Sequence, residues 1–188
     1  MPVDSDGLPL ISACSKLDFY ELYTSPEVAS SFEALYENKN GIQDKMMDYW
    51  SVVSKRFADN EYVIGYDIIN EPWAANIYKE TDLFFNPLKF DHDKLYPLAV
   101  NAEAAVRPND DEGIIFFESA QFPDTWPFFG GVPFHTGFPK TPGGKAYLNR
   151  QALNDHTYCC QAAGDMCAAG EPPLDRFQEC RDFHMLKV

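Results

Sequence analysis

Residues 62–72 read YVIGYDIINEP, and the fold is decided there. Residues 62–69 are apolar, β-branched or aromatic at almost every position. A run of that length, bounded by Asn60 and Pro72, reads as a strand buried on both faces, the pattern of a parallel sheet. The run ends on Asn70-Glu71-Pro72. A carboxyl at the C-terminal tip of such a strand projects into the cleft above the sheet, where ligands bind in parallel α/β folds. Partial shielding from water would lift its pKa, as a general acid working near neutral pH requires. The amide of Asn70 is placed to hydrogen-bond a ligand hydroxyl or the acid itself.

Outward from this strand, helices and strands alternate. Ser25-Pro26 is a helix start, a capping hydroxyl followed by proline at the first helical position. Val28, Phe32, Leu35 and Tyr36 then share a stripe that ends at residues 38–41. Ile42, Met46, Tyr49, Trp50, Val53 and Phe57 repeat at three and four, giving a helix that stops near Asp59-Asn60. Residues 93–107 are a third helix, with Pro97 in its first turn. Residues 113–118 (GIIFFE) are a second buried strand, residues 152–158 a weaker third, and residues 175–187 a final helix. This alternation argues for a parallel α/β sheet. Two long, aromatic-rich connections, 73–92 and 119–150, follow the C-terminal ends of strands.

Composition sets the outer limits. The chain has 188 residues, 45% of them hydrophobic and 15% aromatic, which is globular. Its net charge of −14 repels phosphate backbones and excludes nucleic acid as a natural partner. No apolar run approaches a membrane-spanning length. The opening MPVDSDGLPLISAC lacks the basic start and apolar core of a signal peptide. Four of the five cysteines (Cys159, Cys160, Cys167 and Cys180, with Cys14 apart) cluster without paired C-x2-C knuckles or an interleaved histidine. A local disulfide fits them better than a metal, and free thiols stay open. No metal or cofactor is called for.

The pattern YVIGYDIINEPW resembles the strand-4 signature of family 5 glycoside hydrolases and, within them, the endoglycoceramidase branch. Leu35 to Asn38, Asp48 to Trp50, Arg56-Phe57 and Asn60 resemble the run preceding that strand. IIFFES resembles strand 5, and residues 137–159 (GFPKTPGGKAYLNRQALNDHTYC) the approach to strand 6. The likeness covers roughly residues 20–185. It implies a (β/α)8 barrel that cleaves the bond between oligosaccharide and ceramide with retention. All of residues 1–188 would then be part of one catalytic barrel, with strand 4 at about 62–69, strand 5 at about 113–118 and strand 6 at about 152–158. The resemblance makes Glu71 the acid/base and Asn70 its neighbour, and matches His156 and Tyr158 to a strand-6 pair. There the histidine lines the sugar subsite and the tyrosine contacts the nucleophile. Residues 154–160 (NDHTYCC) depart from the more usual aromatic before the histidine. A secreted or lumenal setting is implied as well.

Retaining chemistry needs two carboxyls about 5–5.5 Å apart. The family places the second on strand 7, in a Glu-Phe-Gly-like segment that these residues do not contain. A whole barrel takes about 250 residues, so the chain reads as the middle portion, strands 4 to 6. Its open edges predict aggregation or need of a partner. Glu118 reads as a rim hydrogen bond or substrate contact, and Asp67 as a buried, satisfied carboxylate. Trp73, Trp126, Phe128, Phe129, Phe134 and Phe138 are candidates to stack on sugars or meet ceramide, with folding back as core the plainer reading; Trp73 is counted with the binding residues. His92 and His135 carry no signal. Two other readings remain: a truncated, non-catalytic product that at most binds sugar or lipid, and a related β-glucosidase or glucosylceramidase.

Overall fold

The computed structural model describes residues 2–17, 19–120, 136–154, 156, 178 and 182. Short helices α1 (Ile11–Cys14) and α2 (Phe19–Tyr23) precede α3 (Pro26–Tyr36) and α4 (Ile42–Phe57). The Ser25 hydroxyl accepts the Val28 amide at 3.3 Å, a cap of the kind worth about 1 kcal/mol, with Pro26 next to it. Asn38, Asn40 and Gly41 take left-handed backbone angles that turn the chain between α3 and α4.

Three strands pair in parallel in chain order: β1 (Gly65–Asp67), β2 (Ile114–Phe117) and β3 (Gln151–Leu153). Asp67 faces Phe116, which in turn faces Ala152. Spatial order that follows chain order, with helical crossovers between, is how a barrel winds; a doubly wound sheet reverses direction instead. Gly65 is required by contact rather than by conformation. A Cβ there would stand 1.9 Å from the Ile114 carbonyl oxygen on the neighbouring strand.

One face of the sheet is covered. Tyr66, Ile68 and Ile115 pack with Ala102 and Val106 of α7 (Tyr96–Val106), and with Met46, Trp50, Val53 and Phe57 of α4. The other face is open among the described residues. Residues 62–69 are not buried on both faces: Tyr62 and Ile64, which precede β1, are 87% and 71% exposed, and Asp67, on the open face, is exposed too. The expectation of a buried Asp67 fails for the same reason. Among the described residues β1 has one neighbour, and the face Asp67 occupies has no second layer.

The helix expected at 93–107 starts earlier. Helices α5 (Thr81–Phe85) and α6 (Pro87–Phe90) fill part of the long connection, and a π-helical turn, Asp91–Leu95, joins α6 to α7. The wide turn aims Asp91 inward, 2% exposed. Its carboxylate accepts the Ala120 amide at 2.7 Å and the Gly137 amide at 2.9 Å. One side chain thus holds both ends of residues 121–136. Phe138 stacks on Phe117 at 5.1 Å and belongs to the core. Trp126, Phe128, Phe129, Phe134 and His135 lie outside the described residues, as do Tyr158, four of the cysteines and most of the expected final helix. Within that helix Gln178 donates to Asp182 at 2.7 Å.

Candidate active site

Side chains alternate along a strand, so residues of like parity share a face. The register puts Asp67, Phe116 and Ala152 on one side. Continuing by twos past the ends of β2 and β3 brings Glu118, Asn154 and His156 to the same side, at the C-terminal end. Glu71 joins them from the turn after β1.

That turn is held unusually firmly. Glu71 has φ +47°, a left-handed angle that costs a non-glycine residue on the order of 1–3 kcal/mol. Its amide donates to Glu118 Oε2 at 2.6 Å, and its carbonyl accepts the Tyr23 hydroxyl from α2. The Tyr36 hydroxyl of α3 donates to the Trp73 carbonyl at 2.9 Å. Trp73 is 4% exposed and meets Tyr23 edge-on at 5.3 Å, so its ring faces the core and offers no platform to solvent. Asn70 is exposed at the tip.

The Glu71 side chain, 25% exposed, places Oε1 2.9 Å from His156 Nδ1. The other ring nitrogen, Nε2, lies 3.2 Å from Glu118 Oε1. Asn154 Nδ2 donates to Asp67 at 2.8 Å and to Glu118 Oε1 at 3.2 Å. Three carboxylates therefore surround one imidazole.

The electrostatics follow. The Glu118 carboxyl is raised to about 7, chiefly by burial and further by the charges of Asp67 and Glu71, with the Glu71 amide and the imidazole acting against the rise. Burial would lower His156, but the hydrogen bond to Glu71 and the charges of Glu118, Glu71 and Asp67 outweigh it and leave it above 6.5. Desolvation, with Glu71 and Glu118 nearby, pushes Tyr23 up to about 12. Partial desolvation by its neighbours raises Asp67, against the Asn154 hydrogen bond and the imidazole.

The family model for cellulases, glycosyl hydrolase family 5, matches residues 21–165. The chain belongs to this family. Endoglycoceramidases from Cyanea nozakii and Hydra vulgaris are 36% and 34% identical over 152 residues. The alignment takes in 81% of this family 5 chain but 28% of each relative, so the chain spans well under half their length. Endo-glycoceramidase II from Rhodococcus sp., solved in complex with ganglioside GM3, superposes with a TM-score of 0.67 at 22% identity. It covers 91% of this chain and 36% of that one. The fold is thus part of the family's (β/α)8 barrel.

Sequence reasoning named Glu71, Asn70 and His156, and the structure brings Glu71 and His156 into contact. It passed over Asn154 and Tyr23 and underweighted Glu118. Strand parity was the available signal, since Asn154 lies two residues before His156. A second acidic group, Glu33, Glu37 and Glu80, has oxygens close enough to share a cation. Lys39, Lys79 and Lys94 already pair with these carboxylates.

Proposed function

We propose that Glu71 is the acid/base carboxyl of a retaining β-glycosidase whose substrate is a glycosphingolipid, cut between oligosaccharide and ceramide. The observation that carries this reading is the Glu71 side chain itself: partly exposed at a strand's C-terminal tip, on a strained turn, with one oxygen fixed by His156. Such a carboxyl would protonate the glycosidic oxygen in the first step and deprotonate water in the second. Asn70 would bind a sugar hydroxyl beside it, and His156 would line the subsite. Tyr158 would contact the nucleophile. Trp73 would support the turn from below. The identity to two endoglycoceramidases supports the substrate class.

Glu118 does not serve as the second carboxylate. A nucleophile must touch the anomeric carbon, and the Glu118 side chain has 0% exposure. The 188-residue chain alone would therefore turn over negligibly. Grafting residues 21–165 into the corresponding stretch of the Hydra vulgaris enzyme supplies the rest of the barrel. The graft should release ceramide from fluorescent lactosylceramide, and Glu71→Gln should reduce release by about 10²-fold or more, the low end for losing acid–base assistance. A folded graft whose activity survives Glu71→Gln would refute the assignment.

A further inference from the structure

Glu118 closes a ring around Glu71. Its Oε2 takes the Glu71 amide at 2.6 Å, its Oε1 meets His156 Nε2 at 3.2 Å, and His156 Nδ1 returns to Glu71 Oε1 at 2.9 Å. No solvent reaches the Glu118 side chain, so its contacts are internal. Backbone and side chain of the same glutamate are thereby governed by one buried carboxyl on the neighbouring strand.

We propose that Glu118 is a positioning residue for Glu71, fixing its amide directly and its carboxylate through His156, whose Nδ1 proton Glu118 keeps directed at Glu71. The value of this to catalysis rests on the acid/base reading of Glu71; the ring of contacts does not. As an imidazolium, His156 donates Nδ1–H to Glu71 and Nε2–H to Glu118. If the Nε2 proton passes to Glu118 Oε1, that carboxyl becomes the donor and Nε2 the acceptor, and the proton count is unchanged. Nδ1–H points at Glu71 in both states. A lift of the Glu118 carboxyl to about 7 puts this exchange within reach of neutral pH. The titratable groups facing Glu118 are His156, Glu71, Asp67 and, from α2, Tyr23. Tyr23 stays neutral at such pH, so the charge acting on the imidazole comes from the three carboxylates.

The test reads His156 directly in the full chain labelled with ¹⁵N-histidine, its signal assigned by loss in His156→Gln. Unsubstituted, His156 should titrate above 6.5 and show both ring nitrogens protonated below that point. Glu118→Gln keeps an acceptor for the Glu71 amide but removes the charge. It should lower the His156 midpoint by about one pH unit, the scale of one close opposite charge. Asp67→Asn, at an exposed position, should lower it less. An unsubstituted midpoint at or below 6.5 overturns the proposal without any variant. So does a midpoint that Glu118→Gln leaves in place, or that Asp67→Asn shifts more. None of these readings uses glycosidase activity. A graft that fails to cleave lactosylceramide therefore sinks the function, while an unresponsive His156 sinks only the role of Glu118.

Discussion

The same three strands carry a polar cluster at each end, and the two are built on opposite principles. At the N-terminal end Arg107 pairs with Glu103 at 2.6 Å and donates to the carbonyls of Gly113 and Arg150 at 2.7 and 2.9 Å. Its guanidinium lies 4.3 Å from the Tyr147 ring centre. Beside it Asp110 accepts the amides of Glu112 and Gly113 and the Tyr66 hydroxyl. The buried cation there is matched by a carboxylate and Asp110 by three hydrogen-bond donors, and the cluster joins the starts of β2 and β3. At the C-terminal end three carboxylates crowd one histidine, and a backbone angle is strained. In barrels the lower end is where stability is concentrated and the upper where reaction occurs. A chain with closed accounts at one end can tolerate imbalance at the other.

Substitutions can break that contrast, and the largest effect is expected below. Arg107→Ala leaves Glu103 buried without its cation and should cost about 3–5 kcal/mol in urea unfolding, with the His156 midpoint unmoved. A comparable shift of His156 would mean the two ends are not separate. Tyr66→Phe removes one donor from Asp110, which keeps two amides, and should cost about 1–2 kcal/mol by the same measurement. The smallest effect belongs to the upper cluster and appears as a slope. Glu118, raised from 4.5 to about 7, binds more protons folded than unfolded between those values, so its contribution to stability falls as pH rises through them. His156, raised above 6.5, adds stability that is complete below 6.5 and lost as pH climbs through its folded value. Both slopes run the same way. Urea midpoints across this range should decline toward alkaline pH, and Glu118→Gln should flatten the decline. A steeper decline in that variant would assign the slope to other groups.

What the sequence disclosed tracks how local each signal is. The Ser25-Pro26 cap, the α4 stripe ending at Phe57 and the carboxyl after β1 are all written in adjacent residues. Parallel pairing was legible too, because β-branched runs alternate with helical ones. Asp67 misled because its burial depends on what covers the inner face, and β1 alone does not say. Glu118 was read as a rim contact because its burial is supplied by Glu71, Asn154 and His156, which are distant in sequence. Trp73 was open between a stacking surface and core, and Tyr23 and Tyr36, distant in sequence, draw its turn inward.

The Asp91 staple bears on how such a chain could change. Two amides, at Ala120 and Gly137, end on the two oxygens of one carboxylate, and Gly137 admits no Cβ because Leu88 backbone would lie 2.0 Å away. The connection between them is therefore clamped at both feet, independently of its own sequence. New residues could be written into that span while β2 and the carboxyl beyond it stay in register.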